Sequence, residues 1–179
     1  MSMRPTFLLK CQGGSAAVEM ALVTPLLLTL LFGSFELGNY FLDSHVVAKA
    51  ARDGARYASR QSFTNYPCAG VSNNNAPIGT VVGYTQNLVR TGQITGGTAR
   101  LPSWSDPNTV VVRYDCVSAT SVTPSYSGIY NGLNYLPIVK VEISYGDPKL
   151  QYQSLFGKAG FNAINLSLVA RSQAAVMGI

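Results

Sequence analysis

The chain has 179 residues, enough for one domain with a modest hydrophobic core. Charged residues make up only 12% of it, about half the usual share. The net charge of +5 does not indicate nucleic-acid binding, because no basic patch has interleaved aromatic side chains. The single histidine and eight acidic residues form no recognisable catalytic or metal-binding motif. We therefore expect no enzyme, no cofactor, no metal site and no small-molecule substrate.

An apolar run near the N-terminus predicts one transmembrane helix. Residues 16–35 carry no charge except Glu19, and as a helix they would be about 30 Å long, which matches the bilayer core. Ten of these residues are Leu, Val or Phe, which together favour insertion by roughly 3 to 6 kcal/mol. A carboxylate at the helix centre costs about 2.5 to 3.5 kcal/mol, and less near the end. We also expect a kink at Pro25.

Three explanations of the N-terminus compete. A secretory signal peptide needs a small-x-small cleavage site, and Ala48-Lys49-Ala50 fits that pattern loosely and lies late. A lipoprotein signal is excluded because Cys11 precedes the apolar run instead of following it. The third explanation is a pilin-type leader, a short basic peptide that is cut off just before the helix. A cut after Gly14 would leave Ser15 as the first residue and Glu19 as the fifth.

The residues around this position support the third explanation. They read Gly14-Ser15-Ala16-Ala17-Val18-Glu19-Met20-Ala21-Leu22, then Pro25, Glu36 and Ala50-Ala51-Arg52-Asp53-Gly54-Ala55-Arg56. This pattern resembles that of the TadE-like family, the pseudopilins of tight-adherence (Tad, or Flp) pilus systems. Major Flp pilins usually carry Tyr where this chain has Met20, so the resemblance implies a minor pseudopilin.

The resemblance implies roles for individual residues. A prepilin peptidase would cut between Gly14 and Ser15. Glu19 would pair with the new α-amine of a neighbouring subunit, and Glu36 would be a second acidic residue in subunit register and assembly. Because an unpaired carboxylate is costly in hydrocarbon, such a pair would favour one register of helix against helix. On the residue alone, a hydrated or protonated Glu19 without a function is the alternative.

The cysteines indicate on which side of the membrane the rest of the chain lies. Positive charges flank the apolar run on both sides and do not determine its orientation. Cys11 would be lost with the leader, which leaves Cys68 and Cys116 as a pair. Such a pair favours a disulfide in an extracytoplasmic domain, with two free buried cysteines as the alternative. We expect a bacterial inner-membrane protein with a cytoplasmic N-terminus and a periplasmic or extracellular C-terminal domain.

The helical pattern continues beyond the apolar run to about Arg60. It has an apolar stripe of Val47, Ala51, Ala55 and Ala58, and a basic stripe of Lys49, Arg52, Arg56 and Arg60. One helix over residues 15–60 would be roughly 68 Å long. The basic stripe is either a solvated face or a contact with anionic lipid headgroups or a partner.

The remaining elements predict a small mixed domain. Residues 62–77 have loop chemistry, and a shorter helix follows from Pro77 to Gly92. Strands are predicted at residues 109–117, 138–146 and 162–172. In the strand at 138–146, one face carries Val139, Val141, Ile143 and Tyr145. In the strand at 162–172, one face carries Ile164, Leu166, Leu168 and Ala170. A short amphipathic turn or helix is expected between them.

These patterns together predict an α+β, pilin-like fold, with a long N-terminal transmembrane helix packed on a small antiparallel sheet of about three strands. Residues 1–14 would be the leader, 15–60 the helix and 61–179 the head domain. The function implied is a pseudopilin, or minor pilin, that contributes to assembly or priming of a Tad pilus. Its partners would be the inner membrane, the peptidase, other pilins and the assembly platform. A membrane-tethered extracytoplasmic binding module is the main alternative; a small enzyme released after Ala50 has no site to support it.

Overall fold

The structure is a computed structural model that describes residues 14–119, 128–158, 160 and 165–178. The chain divides into two compact units, Met1–Asn39 and Tyr40–Ile179. Helices are α1 (Ser15–Ser59), α2 (Val81–Thr91) and α3 (Leu155–Lys158); strands are β1 (Ser72–Asn75), β2 (Val110–Ser118), β3 (Tyr135–Ile143) and β4 (Ala170–Ala175). The predicted α+β class, with a long apolar N-terminal helix and an antiparallel sheet, is confirmed.

α1 is a continuous helix of 45 residues and runs through Pro25. It begins at Ser15 and ends one residue before the predicted Arg60. α2 also lies where the apolar spacing predicted a helix, although it starts later than Pro77. Its C-cap is Gly92, whose φ of +83° is readily available only to glycine, and the Gly92 N–H donates to the Leu88 carbonyl.

The sheet has the order β1-β2-β3-β4, and all neighbouring strands are antiparallel. β2 and β3 pair over nine residues, from Val110 opposite Ile143 to Ser118 opposite Tyr135. Alternate residues of both strands are buried, and for β3 the alternation in the sequence predicted this. These buried side chains form one core with Trp104, whose indole N–H donates to Thr109 Oγ1 at 2.8 Å, and with the alanines of α1.

The prediction that residues 62–77 are entirely loop was wrong, because Ser72–Asn75 form β1. Four polar residues in a row give no apolar alternation that would indicate a strand. They pair because β2 presents side chains to them: Asp115 accepts from the Asn74 N–H at 2.8 Å, and Arg113 donates to the Asn74 carbonyl at 3.0 Å. The sheet therefore has four strands where about three were expected.

The predicted face of Val139, Val141, Ile143 and Tyr145 was wrong at its last member. The first three are fully buried, but Tyr145 is 55% exposed. β3 ends at Ile143, and Ser144 has a φ of +61°, which interrupts the alternation. The hydroxyl of Ser144 accepts from the Leu150 N–H at 2.8 Å, so the chain turns here.

The last strand starts later than predicted. β4 covers only Ala170–Ala175, and Leu166 is 41% exposed although it was expected on a buried face. The carbonyl of Leu166 accepts from the Tyr152 N–H, and the Leu168 N–H donates to the Leu150 carbonyl. This segment therefore pairs with the chain before α3 and not with β3. Ile164, the first residue of the predicted face, lies outside the described residues.

Candidate functional site

α1 begins at Ser15, the residue that follows the predicted cut. Gly14 is exposed and directly precedes Ser15, the first residue of the helix. If the chain were cut after Gly14, the new α-amine would therefore lie at the first residue of α1. Residues 1–13, the rest of the predicted leader, lie outside the described residues.

The first part of α1 presents apolar side chains outward. Its large apolar residues are exposed within the chain: Val18, Met20, Leu22, Val23, Leu26, Leu27, Leu28, Leu30, Leu31, Phe32 and Phe35. The most apolar window has a mean hydropathy of 1.9 and buries none of its residues within the chain. Within the described residues, α1 is the one helix long and apolar enough to cross a membrane. It therefore has the length and composition of a membrane anchor.

Polar side chains in the apolar segment bond to their own helix. Thr24 donates to the Met20 carbonyl at 2.6 Å, Thr29 to the Pro25 carbonyl at 2.8 Å, and Ser34 to the Leu31 carbonyl at 2.7 Å. These bonds satisfy each hydroxyl donor without water. They suit a helix surrounded by lipid, where an unsatisfied polar group costs several kcal/mol.

The two glutamates of α1 have different surroundings. Glu19 is exposed on the apolar part of the helix, whereas Glu36 is only 9% exposed. A carboxylate at the position of Glu19 would have to find its partner in another molecule or in the headgroup layer. The two glutamates, for which the resemblance implied the same role, thus differ in exposure.

The Ala-Ala-Arg-Asp-Gly-Ala-Arg motif lies in the second unit, and its small residues are packing residues. Ala50, Ala51 and Ala55 are buried. A Cβ atom at Gly54 would collide with the Val89 side chain of α2 and would lie 3.4 Å from Val141 Cγ1 of β3. Small side chains on this face of α1 therefore let α2 and the sheet approach the helix closely. The expected stripe of Val47, Ala51, Ala55 and Ala58 is confirmed as buried.

The charged members of the motif have two kinds of surroundings. Asp53 forms an ion pair with Arg100 at 3.2 Å, between α1 and the loop after α2. Arg52 and Arg56 are exposed and form no described ion pair. No local sequence pattern predicts the Asp53–Arg100 pair, since 47 residues separate its members.

A second unpredicted ion pair supports the sheet. Lys140 of β3 contacts Asp115 of β2, and the Asn74 N–H donates to the same carboxylate. Burial raises the pKa of Asp115, but the bonds from Lys140 and Asn74 and the charge of Arg171 outweigh it, so that the net pKa is lowered. Because this carboxylate joins three strands, we assign it a structural role.

Cys68 and Cys116 form a disulfide in the structure, with their Cα atoms 5.8 Å apart. Cys116 lies in β2, and Cys68 lies in the loop before β1. The disulfide therefore attaches the loop before β1 to β2, and the Asp115 contacts attach β1 to the same strand. The structure shows no group of metal-binding side chains among the described residues.

A shallow groove of about 440 Å³ lies beside the disulfide. Phe63, Tyr66 and the Cys68 region line one side of it, and Gly132–Tyr135 line the other. No acidic, basic or histidine side chain lines it. The groove therefore offers no carboxylate, imidazole or cationic side chain, and the hydroxyl of Tyr66, one of its two tyrosines, donates to the Ala58 carbonyl.

The comparisons bear on the N-terminal part of the chain. A family model described as TadE-like protein matches residues 14–56. The curated proteins contain no match, and neither do the solved structures. The match begins at Gly14, includes both glutamates of α1 and ends at Arg56, the last residue of the small-residue motif. Over residues 14–56 the predicted resemblance is thus confirmed: this part of the chain is similar to TadE-like proteins, which suggests a protein associated with the Tad pilus.

Proposed function

We propose that this protein is a membrane-anchored pseudopilin, or minor pilin, that contributes to assembly or priming of a Tad pilus. The observation that carries the proposal is the TadE-like match, which starts at Gly14, one residue before α1 begins at Ser15. In this proposal the anchor is the apolar part of α1, and a prepilin peptidase removes residues 1–14. The protein is then a substrate of an enzyme and a structural subunit.

The charge of Glu19 supports this proposal over a simple tether. A tether needs only apolar side chains, and a carboxylate reduces its insertion by up to about 3 kcal/mol. Cleavage would create an α-amine at Ser15, four residues from Glu19 on the same helix. When subunits pack side by side, the amine of one can neutralise Glu19 of the next at one axial offset. In this proposal the carboxylate of Glu19 makes membrane insertion less favourable and fixes the axial offset between the helices of neighbouring subunits.

N-terminal sequencing of the protein from cells that express the peptidase tests the proposal directly. We expect Ser15 as the first residue. Gly14→Asp should stop the cut while membrane insertion continues, because the change lies outside the apolar run. Ser2→Asp is the matched control, since it adds the same charge to the leader away from the cut, and it should be processed normally.

Each alternative gives a different first residue. A tethered binding module would keep Met1, and a secreted protein released after Ala50 would begin at Ala51. Either result contradicts the proposal. Normal processing of the Gly14→Asp variant would contradict the cleavage position.

A further inference from the structure

The second half of α1 carries four exposed cations on one side. We call Lys49, Arg52, Arg56 and Arg60 the cationic stripe. Intervals of three or four residues place them along one face of the helix, and all four are exposed. Buried Ala51, Ala55 and Ala58 occupy another face of the same helix. The stripe therefore points away from the core of its own unit.

None of the four stripe cations forms an ion pair within the described part of the chain; Asp53, which lies four residues after Lys49 and three before Arg56, pairs with Arg100 instead. The three ion pairs found there join Asp53 to Arg100, Asp115 to Lys140 and Glu142 to Arg171. Arg52 Nε donates to the carbonyl of Ala48, on its own helix, at 3.2 Å. Like charges at intervals of three and four repel each other and weaken a helix. A negatively charged partner would remove this repulsion.

Lipid headgroups around the anchor are an unfavourable partner. Lys49 lies seven residues beyond Leu42, the last exposed large apolar residue of α1, and at 1.5 Å per residue this is about 10 Å of helix. The headgroup region adds only about 5 to 8 Å on each side of the hydrocarbon core. The remaining stripe residues follow still later in the helix.

A second copy of the chain is also an unfavourable partner, because it has few free carboxylates. Three of the eight acidic residues are in ion pairs, and Glu19 and Glu36 lie within or next to the apolar run. Asp106 accepts from the Asn108 N–H, and Asp43 is partly buried. Of the acidic residues, this leaves Asp147 as an exposed one with no described partner. Two copies repel each other, because the net charge stays positive even after loss of Arg4 and Lys10 with the leader.

We propose that the cationic stripe is the docking surface for an acidic helix of a different pilus subunit. The stripe covers eleven residue intervals, about 16 Å of helix, so its complement is a helix with carboxylates at intervals of three or four residues. The inference rests on the proposed function, because it places the partner in the same pilus. It adds that the protein assembles with unlike subunits and does not form a fibre of its own.

Photo-crosslinking in cells that contain the complete pilus system tests the identity of the partner. Benzoylphenylalanine at position 56 lies in the stripe, and the same group at exposed Val71 is the control. We expect position 56 to yield an adduct with a different protein, whose cross-linked peptide carries carboxylates at helical intervals. An adduct with a second copy, an adduct with lipid alone, or no adduct at position 56 overturns the proposal.

A binding measurement tests the chemistry. The full chain in nanodiscs of neutral lipid is mixed with a labelled alanine-rich helical peptide that has four glutamates on one face. We expect replacement of all four stripe residues by glutamine to weaken binding roughly tenfold, because several modest exposed ion pairs are lost together. The control replaces the exposed cations Lys149 and Lys158, which lie outside the stripe, by glutamine and should bind normally.

Two further measurements control for the spacing of the peptide charges and for the folding of the fourfold variant. A peptide with the same four glutamates distributed around the helix should bind weakly, and equal binding would overturn the proposal. Arg56→Gln alone should give a smaller loss of the same sign, so the result does not depend on folding of the fourfold variant. Circular dichroism checks the helix content of each variant.

N-terminal sequencing of the same cells separates this inference from the proposed function. Protein that begins at Ser15 but gives no subunit adduct overturns the docking surface and leaves the pseudopilin proposal in place. Protein that keeps Met1 and still gives the acidic-helix adduct overturns pilin-type processing and leaves the docking surface in place.

Discussion

Gly54 of α1 lies so close to Val89 of α2 that a Cβ atom at position 54 would overlap the valine side chain. Val89 is fully buried and β-branched, so it has little freedom to move aside. Thr85 of α2 and Val141 of β3 are each 3.4 Å from the same position. One glycine thus sets how closely the long helix, the short helix and the sheet pack.

We expect Gly54→Ala to lower the free energy of unfolding by about 1 to 2 kcal/mol. Overpacking costs about 1 to 3 kcal/mol, and the better helix propensity of alanine offsets up to about 1 kcal/mol. Gly83→Ala is the matched control, since its Cβ would meet nothing within 4 Å and the helix should become more stable. Denaturant unfolding of the full chain in detergent measures both. Equal effects of the two substitutions would contradict the close packing.

Asp115→Asn should destabilise the protein in a pH-dependent way. At pH 7 we expect a loss of about 2 kcal/mol, because the carboxylate accepts bonds from Lys140 and the Asn74 N–H. The pKa of Asp115 is lowered in the folded protein, so its stabilising effect is complete above the unfolded value near 4. The effect is lost as the pH falls through the folded pKa.

Unfolding of both proteins at pH 7 and at decreasing pH below 4 measures this dependence. The difference between wild type and Asp115→Asn should shrink as the pH falls. Asp147→Asn removes an exposed carboxylate with no described partner, and it should change stability little at either pH. A difference for Asp115→Asn that is constant with pH would contradict the assigned ion pair.

Replacement of Cys68 and Cys116 by serine should lower the free energy of unfolding by about 4 kcal/mol, because the bridge closes a loop of roughly 49 residues. Reductant should destabilise the wild type and leave the double variant unchanged. Cys11→Ser, which changes only the predicted leader, is the control and should have no effect. Alkylation of Cys68 or Cys116 in protein isolated without reductant would contradict the disulfide.

Tyr66→Phe should cost about 1 kcal/mol at neutral pH. Its hydroxyl donates to the Ala58 carbonyl at 2.6 Å, while the Gln61 N–H remains as another donor to that oxygen. Burial, with a smaller effect of Tyr57, raises the pKa of Tyr66 above its usual value. The stabilisation from this group is therefore complete below the unfolded pKa near 10 and is lost as the pH rises above it.

Alkaline unfolding curves test this assignment. The gap between wild type and Tyr66→Phe should shrink above pH 10. Tyr145→Phe, at an exposed ring, should follow the wild type throughout. If the gap persists unchanged above pH 10, the Tyr66 hydroxyl is not held protonated by its burial.

Glu19→Ala should leave cleavage intact but reduce incorporation into pili by roughly tenfold or more, because it leaves a neighbouring α-amine unpaired in hydrocarbon. Immunoblots of sheared pili and of membranes from the same cells measure the ratio. Thr24→Ala is the control, since that hydroxyl bonds only to the Met20 carbonyl in the structure. Normal piliation of the Glu19→Ala strain would contradict the register role.

Much of the fold could be predicted from local patterns. Apolar length and helical spacing predicted α1 and α2, β-branched residues predicted β2, and alternation predicted most of β3. Local patterns could not predict β1, since Ser72–Asn75 are polar and depend on Arg113 and Asp115 of a distant strand. For the same reason the pairing of the Leu166 carbonyl with the Tyr152 N–H was missed.

Some features of the candidate site could also be predicted from local sequence, whereas others required the structure. The sequence predicted the apolar run and proposed Gly14, Ser15 and Glu19 as site residues, because signals for membrane insertion and leader cleavage are short, contiguous stretches of chain. The structure added the difference in exposure between Glu19 and Glu36, and it separated the buried alanines of the motif from its exposed arginines. Burial depends on which elements pack together.

The sequence by itself determined the long apolar helix, its carboxylate and the resemblance to TadE-like proteins, because each depends on residues close together in the chain. Tertiary structure alone decided that Asp53 meets Arg100, that Asp115 meets Lys140 and that Gly54 admits no side chain. Each of these contacts joins residues that are far apart in sequence. These contacts stabilise the protein only after the chain has closed the loops between the two residues of each pair. Loop closure leaves no periodic pattern in the sequence, so the sequence alone does not predict these contacts.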